Sequence, residues 1–340
     1  MPITIFLTFD PAARALYYGD KALAALRALG EVRLHESPQA LDGAALAEAA
    51  RGCHAIVSDR RTAASEEFFA ACGPELAVFL RCAVDIRNID VDAASARGVL
   101  VTQASAGFAN AVAEWVVGAL IDLSRGFSEA VLSYRAGTRP RVAMGRELRG
   151  STIGIVGYGR IGRRVAELAQ AFGMRVLVAD PLLEVPGAAG AGAQRAIEPA
   201  SIEDLLAAAD HVVCLAPALP ETENLFDARR FAQMKPGSVF VNAARGNLVD
   251  EAALVEALES GHLAGCALDV GRAPDQMPSP ALAAHPLVIA TPHIGGLTPA
   301  AVEHQALETV AQLAELLRGG MPRGAVNPQR ASRLAALRTV

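Results

Sequence analysis

The stretch GIVGYGRIG, residues 154 to 162, limits this chain more than any other feature. Gly157, Gly159 and Gly162 stand in G-x-G-x-x-G spacing, with an apolar run before them and the helical run RIGRRVAELAQAFG after. Alone that spacing says little. Between a strand and a helix it specifies a βαβ unit that cradles a pyrophosphate. Gly157 permits the tight turn, Gly159 lets the backbone approach the phosphates, and Gly162 lets the helix pack on the strand. The helix N-terminus adds unpaired N–H groups and the positive end of its dipole. The next strand run, VLVAD, ends on Asp180, at about the 20-residue distance where an acid meets the ribose. A carboxylate there accepts from both ribose hydroxyls and repels a 2′-phosphate. The cofactor expected is therefore NAD in preference to NADP. A plain glycine turn with a strand-end Asp is the bland alternative, and the ordered set argues against it.

Short β-rich runs alternate with Ala/Leu-rich helical runs along the whole chain. ITIFLTF (3–9), HAIVSD (54–59), LAVFLRC (76–82) and GVLVT (98–102) read as strands, with helical segments at 19–29 and 64–71. A long amphipathic helix fits 109–125, and the arginine-bearing 134–150 reads as a surface excursion. From 151 a second series runs through MRVLVAD, SIEDLLAAAD, HVVCLAP, GSVFVNAA, EAALVEALESG, GCALDV and LVIATPH to a last helix near 298–318. The Ala/Gly-rich 186–193 reads as a flexible loop. Alternation of this kind implies an α/β fold with parallel sheets covered on both faces.

Composition excludes several classes. A net charge of -5 argues against a nucleic-acid partner, which needs a basic face. MPITIFLTFD has no basic residue before its short apolar run and reads as a first strand, not a signal peptide. Glu114 and Asp122 interrupt the apolar stretch 111–123, which argues against a membrane span. The five cysteines are scattered and form no C-x-x-C pair, so neither a disulfide framework nor a metal site is expected. Buried thiols in a cytoplasmic protein are the simplest reading.

Three strand ends after the glycine turn carry polar residues: VNAARGNLVDE with Arg245, ALDV with Asp269, and TPHIGG with His293. In open α/β sheets ligands bind beyond the carboxyl ends of the strands, so all three belong to the rim that holds the pyrophosphate turn. Arg245 suits bidentate capture of a carboxylate, and Gly246 after it is expected to free the backbone. His293 is the natural acid/base for a hydroxyl near neutral pH. Pro292 gives it a rigid approach and Gly295–Gly296 a flexible exit. Either residue alone could be a surface Arg or a loop His. Downstream of a dinucleotide turn, the pair points to chemistry.

The ordered set LRGSTIGIVGYGRIG, DP after the acidic strand end, PALPETENL, FAQMKPGSVFVNAARGNLVDEAALVEAL, GCALDV and TPHIGG resembles the D-2-hydroxyacid dehydrogenase family over about residues 80–330. The resemblance implies two Rossmann-like domains. A substrate domain would be formed by both chain ends, 1–103 plus 297–340, with a dinucleotide-binding domain, 104–296, inserted between them. It implies NAD-dependent interconversion of a 2-oxo acid and a D-2-hydroxy acid, with Arg245 as clamp on carboxylate and carbonyl and His293 as acid/base. Cofactor contacts would fall at Gly157, Gly159, Arg160, Ile161, Gly162, Asp180, Pro217, Thr222, Ala243, Asp269 and Gly296, with Asp269 holding the nicotinamide amide. Members of the family pair through the cofactor domain, so a homodimer is expected.

The sequence departs from the family pattern in three places. A Glu that hydrogen-bonds the catalytic His is missing: five residues beyond Asp269 stands Pro274, and a longer loop would bring Asp275 or Gln276 there. Asp275 is either a shorter orienter of His293 or a solvated turn acid. In RCAVDIRNID (81–90) the family has a glycine-rich turn whose N–H groups hold the substrate carboxylate. Ala83 and Val84 fall in that turn, Asp85 replaces a glycine and Arg87 an acid. Arg87 either selects a second anionic group or pairs with Asp85. In 134–150, Arg139, Pro140 and Arg141 stand where a Trp is common. Substrate identity therefore does not transfer from any one member. The missing Glu also leaves open an NAD-sensing binding protein of the corepressor type.

Overall fold

The computed structural model describes residues 2–183, 197–273 and 276–337. The chain divides into two compact units, one of 1–108 with 298–340 and one of 109–297.

The first unit is built on five parallel strands, β1 (Thr4–Leu7), β2 (Glu31–Leu34), β3 (Ala55–Ser58), β4 (Val78–Arg81) and β5 (Leu100–Gln103), in the order β2-β1-β3-β4-β5. Both faces are covered, which is why β3 and β4 read as continuous apolar runs and are buried at every residue. On one face, Ala22, Leu23 and Leu26 of the helix Asp20–Arg27 join Ala306, Val310, Leu313 and Leu316 of the helix Pro299–Leu317. On the other, Phe68, Phe69 and Phe79 meet with ring centroids 4.9 to 6.1 Å apart. Such aromatic pairs add about 0.5–1.5 kcal/mol each beyond area burial.

The second unit holds seven parallel strands. They are β6 (Thr152–Val156), β7 (Arg175–Ala179), β8 (Glu198–Pro199), β9 (His211–Cys214), β10 (Ser238–Asn242), β11 (Leu263–Leu268) and β12 (Val288–Ala290), in the order β12-β11-β10-β9-β6-β7-β8. Strand order reverses beside β6, the topological switch point where open sheets of this kind bind ligands. The helix Ala109–Arg125 buries Val112, Ala113, Val116, Ala119, Leu120 and Ser124, a stripe at helical spacing, and packs on the helix Arg160–Ala171. The opposite face is closed by Phe226, Phe231 and Phe240, with centroids 4.7 to 6.0 Å apart.

The 134–150 excursion begins as a helix, Phe127–Arg135, and continues as exposed chain through Val142 and Met144. The expected loop at 186–193 lies outside the described residues. No helix among the described residues is long and apolar enough to cross a membrane, and the five cysteines form no disulfide.

Candidate functional site

The glycine turn follows β6 directly. Gly157 has φ +99°, and a Cβ there would lie 2.6 Å from the Leu215 carbonyl, so only glycine fits. A Cβ on Gly162 would lie 2.3 Å from the Gly157 oxygen, the close helix–strand approach expected of that position. Gly159 is different. It has an ordinary φ of −72°, and a Cβ would meet nothing within 4 Å. Its value is an uncovered backbone at the N-cap of the helix Arg160–Ala171, where no side chain caps the first turn. Residues 157–162 therefore fit a pyrophosphate. Asp180, just past β7, accepts from the Tyr158 N–H at 2.5 Å and the Leu182 N–H at 2.8 Å. A carboxylate has about four lone-pair sites, so Asp180 braces the turn and keeps acceptors for a diol.

Arg245, Asp269 and His293 stand just beyond the carboxyl ends of three adjacent strands, β10, β11 and β12. The Asn242 side chain, 1% exposed at the end of β10, accepts from the Ala244 N–H at 3.0 Å and donates to the Arg245 carbonyl at 2.9 Å. It fixes the turn that presents Arg245. Sequence reasoning missed Asn242, whose signal was an amide ending an otherwise apolar strand. Gly246 does not free the Arg245 backbone, as its sequence position suggested. A Cβ at Gly246 would fall 2.0 Å from the Gly271 carbonyl carbon, so glycine is there because two loops touch.

Asp269 is 3% exposed. Its carboxylate accepts from Thr291 Oγ1 at 2.6 Å, the Ile294 N–H at 2.8 Å and the Gly295 N–H at 2.7 Å. Those three donors surround His293, whose φ of +56° is a left-handed conformation that a non-glycine residue adopts at a cost. Asp269 supplies the bonds that hold it. Gly295 is not a flexible exit: a Cβ would lie 2.7 Å from Asp269 Oδ2, so the glycine admits the carboxylate.

The remaining cofactor candidates lie on the same edge. Thr222 Oγ1 donates to the Pro217 carbonyl at 2.7 Å and accepts from the Leu219 N–H at 2.8 Å, closing the loop after β9. Ala243 follows β10, and Gly296 ends the His293 turn. Asp275 lies outside the described residues. At the amino edge of this sheet, a hollow is lined by Arg146, Glu147, Asp210 and Lys235, whose charges cancel. It has no feature that singles it out for an anion.

In the first unit, Ala83 and Val84 lie just past β4, with the Ala83 carbonyl accepting from the Ala104 N–H at 3.0 Å. Arg81, 3% exposed and missed by sequence reasoning, shapes this turn by donating to the carbonyls of Asp59 and Asp85. Arg87 is forked onto Asp85, Nε to Oδ1 at 3.0 Å and Nη2 to Oδ2 at 2.7 Å. The Asp85 carboxylate accordingly raises the Arg87 pKa. The pairing alternative is the one observed.

Residues 117–295 match the model of the D-isomer specific 2-hydroxyacid dehydrogenase NAD-binding domain. The chain is 37% identical to a D-3-phosphoglycerate dehydrogenase of Mycobacterium leprae (strain TN), over 96% of this chain and 59% of that protein. It is 37% identical to the protein of the same name from Escherichia coli (strain K12), over 90% of this chain and 74% of that one. The chain thus spans less than two thirds of the mycobacterial relative's length. A solved glyoxylate reductase from Paecilomyes thermophila superposes with a TM-score of 0.80 at 27% identity, covering 97% of this chain and 100% of the other.

Proposed function

Because the chain belongs to the D-isomer specific 2-hydroxyacid dehydrogenase family, we propose that it interconverts a 2-oxo acid and a D-2-hydroxy acid with NAD. Bound at the glycine turn, NAD supplies or receives the hydride exchanged with substrate C2. The Arg245 fork holds the substrate carboxylate and polarises the carbonyl. His293 transfers the proton at the substrate oxygen. Asp180 takes the ribose hydroxyls. Asp269 has one lone-pair site beyond its three bonds, and that site suits the nicotinamide amide. Arg160, Ile161, Pro217, Thr222, Ala243 and Gly296 line the rest of the cofactor path. In the first unit, Ala83 and Val84 are the substrate-binding candidates of the turn after β4.

The observation that carries this reading is the His293 turn, held in a left-handed conformation by a buried carboxylate one strand away from Arg245's. A turn braced at such cost suits a side chain that must be aimed. The test is NADH oxidation over a panel of 2-oxo acids. Tight NADH binding with no turnover on any of them would favour the corepressor-type protein instead.

The protein acts as a homodimer in a reducing, cytoplasmic setting. Phe127, Val131, Leu132, Tyr134, Val142 and Met144, on one stretch of chain, are 45% to 98% exposed. Apolar side chains clustered this way suit a self-complementary contact. Light scattering at micromolar concentration should give twice the 35.3 kDa chain mass, and a single chain mass would refute the pairing.

A further inference from the structure

We propose that Arg272, in the loop after β11, is a positioning residue for Arg245. It locks together the loops that follow β9, β10 and β11. The proposal rests on the reading of Arg245 given above.

The Arg272 guanidinium donates from Nε to the Val249 carbonyl at 3.0 Å and from Nη2 to the Asn247 carbonyl at 3.0 Å. Both acceptors lie in the turn that begins at Arg245. From Nη1 it reaches Glu223 Oε1 at 2.8 Å, and from Nη2 also Asn224 Oδ1, in the loop after β9. Its own N–H donates to Glu251 Oε1 at 3.3 Å. Four donor contacts leave a guanidinium, with five N–H groups, little capacity for a second carboxylate. Arg272 is therefore built into the protein and is no candidate to bind substrate by its fork.

Its partners hold one another as well. Asn247 Nδ2 donates to Glu223 Oε2 at 2.8 Å, and the Asn224 N–H donates to the Asn247 carbonyl at 2.9 Å. Asn224 has φ +51°, a conformation Asn tolerates better than most residues. The Asn247 bond, and after it the Arg272 bond, hold the Glu223 carboxyl below its ordinary pKa. Gly271 lies directly against Gly246, the residue after Arg245. One side chain thus ties the backbone two and four residues beyond Arg245 to its neighbours on either side. A clamp whose guanidinium must meet a substrate carboxylate to within about 0.5 Å needs such support.

The test uses the full-length protein and four forms: wild type, Arg245→Ala, Arg272→Ala and the double variant. Arg272→Ala should lower kcat/KM for the 2-oxo acid by about 10- to 100-fold, with the NADH Kd changed less than about threefold. In the Arg245→Ala background the same substitution should cost less than about twofold, because its effect passes through Arg245. Equal losses in both backgrounds, or no loss in either, would overturn the proposal. Arg272→Lys keeps the charge facing Glu223 and loses the fork, so it covers the case in which Arg272→Ala does not fold. It should give a smaller loss of the same non-additive kind. Amide hydrogen exchange tests the clamp without turnover. Protection at 223–226 and 245–249 should fall together in Arg272→Ala, and unchanged protection would overturn the clamp. Should the wild type turn over no 2-oxo acid, the functional reading fails by itself, and the exchange measurement still decides the clamp.

Discussion

Arg245 leaves β10 with an extended backbone, φ −149° and ψ 149°, and its Nη1 donates to the Ala244 carbonyl at 2.7 Å. As the proposed clamp, the residue would offer a substrate geometry as much as charge. Lysine at this position would keep the charge and lose the planar fork. Arg245→Lys should therefore lose about 100-fold or more in kcat/KM, about 2.7 kcal/mol, with NADH affinity nearly intact. An unchanged kcat/KM would remove Arg245 from the site. Asp180 makes a second residue-scale argument. Its carboxylate already takes two turn amides, so it is held in place and has no freedom to swing away from a 2′-phosphate. At least a roughly tenfold preference for NADH over NADPH follows, about 1.4 kcal/mol. Equal kcat/KM with the two cofactors would defeat that assignment.

At the scale of elements, a buried histidine at the start of a central strand carries a consequence for stability. His211 opens β9 and is 3% exposed, with Nε2 3.2 Å from Ser124 Oγ. Burial holds its pKa below 6.5, Arg146 adds to the effect, and Asp210 and the Thr152 backbone oppose it. The sign follows from linkage: below about pH 6.5 the unfolded chain takes a proton that the folded one refuses. Stability is thus lost as pH falls through the unfolded value, and the loss levels off below the folded one. His211→Gln should flatten this part of the wild-type stability curve, measured by urea titration at several pH values. Curves that stay parallel down to pH 5 would show that His211 does not contribute.

Elements were legible in proportion to their burial. β3, β4, β9 and β10 are buried at every residue, and each is a plain apolar run in the sequence. β2 was missed because it is a four-residue edge strand, EVRL, half exposed and alternating. The helices Gly43–Ala49 and Val91–Ala96 were missed because GAALAEA and VDAASA each carry one large apolar residue, too few to mark a helical period. At the site, the residue types at strand ends were readable, but their supports were not. Asp269 bonds residues 22 to 26 positions away, and Arg272 others up to 49 away. Such pairings exist only once the strands have been set in order. The roles first given to Gly246 and Gly295 failed for the same reason: each depends on a neighbour that local sequence does not name.

The whole molecule is divided unevenly along its chain. The unit of 109–297 is continuous, whereas the other needs both ends. Its first sheet face is completed by Ala306, Val310, Leu313 and Leu316 from the helix Pro299–Leu317, some 200 residues after β5. Removing everything after 297 would uncover that face, an apolar area that a small domain cannot leave exposed. The continuous unit has no such dependence. Its core runs through one contiguous set, from Val156 and Leu205 to Phe240, Leu254 and Leu282, all contributed from within its own span. A domain of about 190 residues buries roughly 70% of its unfolded surface, enough to fold alone. The glycine turn, Asp180 and Asp269 all belong to it. Residues 109–297 made as a separate chain should therefore melt cooperatively and bind NADH within about tenfold of the full-length Kd, about 1.4 kcal/mol. Residues 1–297 should keep that transition and lose the one belonging to the first unit. A 109–297 chain that melts without cooperativity, or fails to bind NADH, would mean that the two units depend on each other for folding.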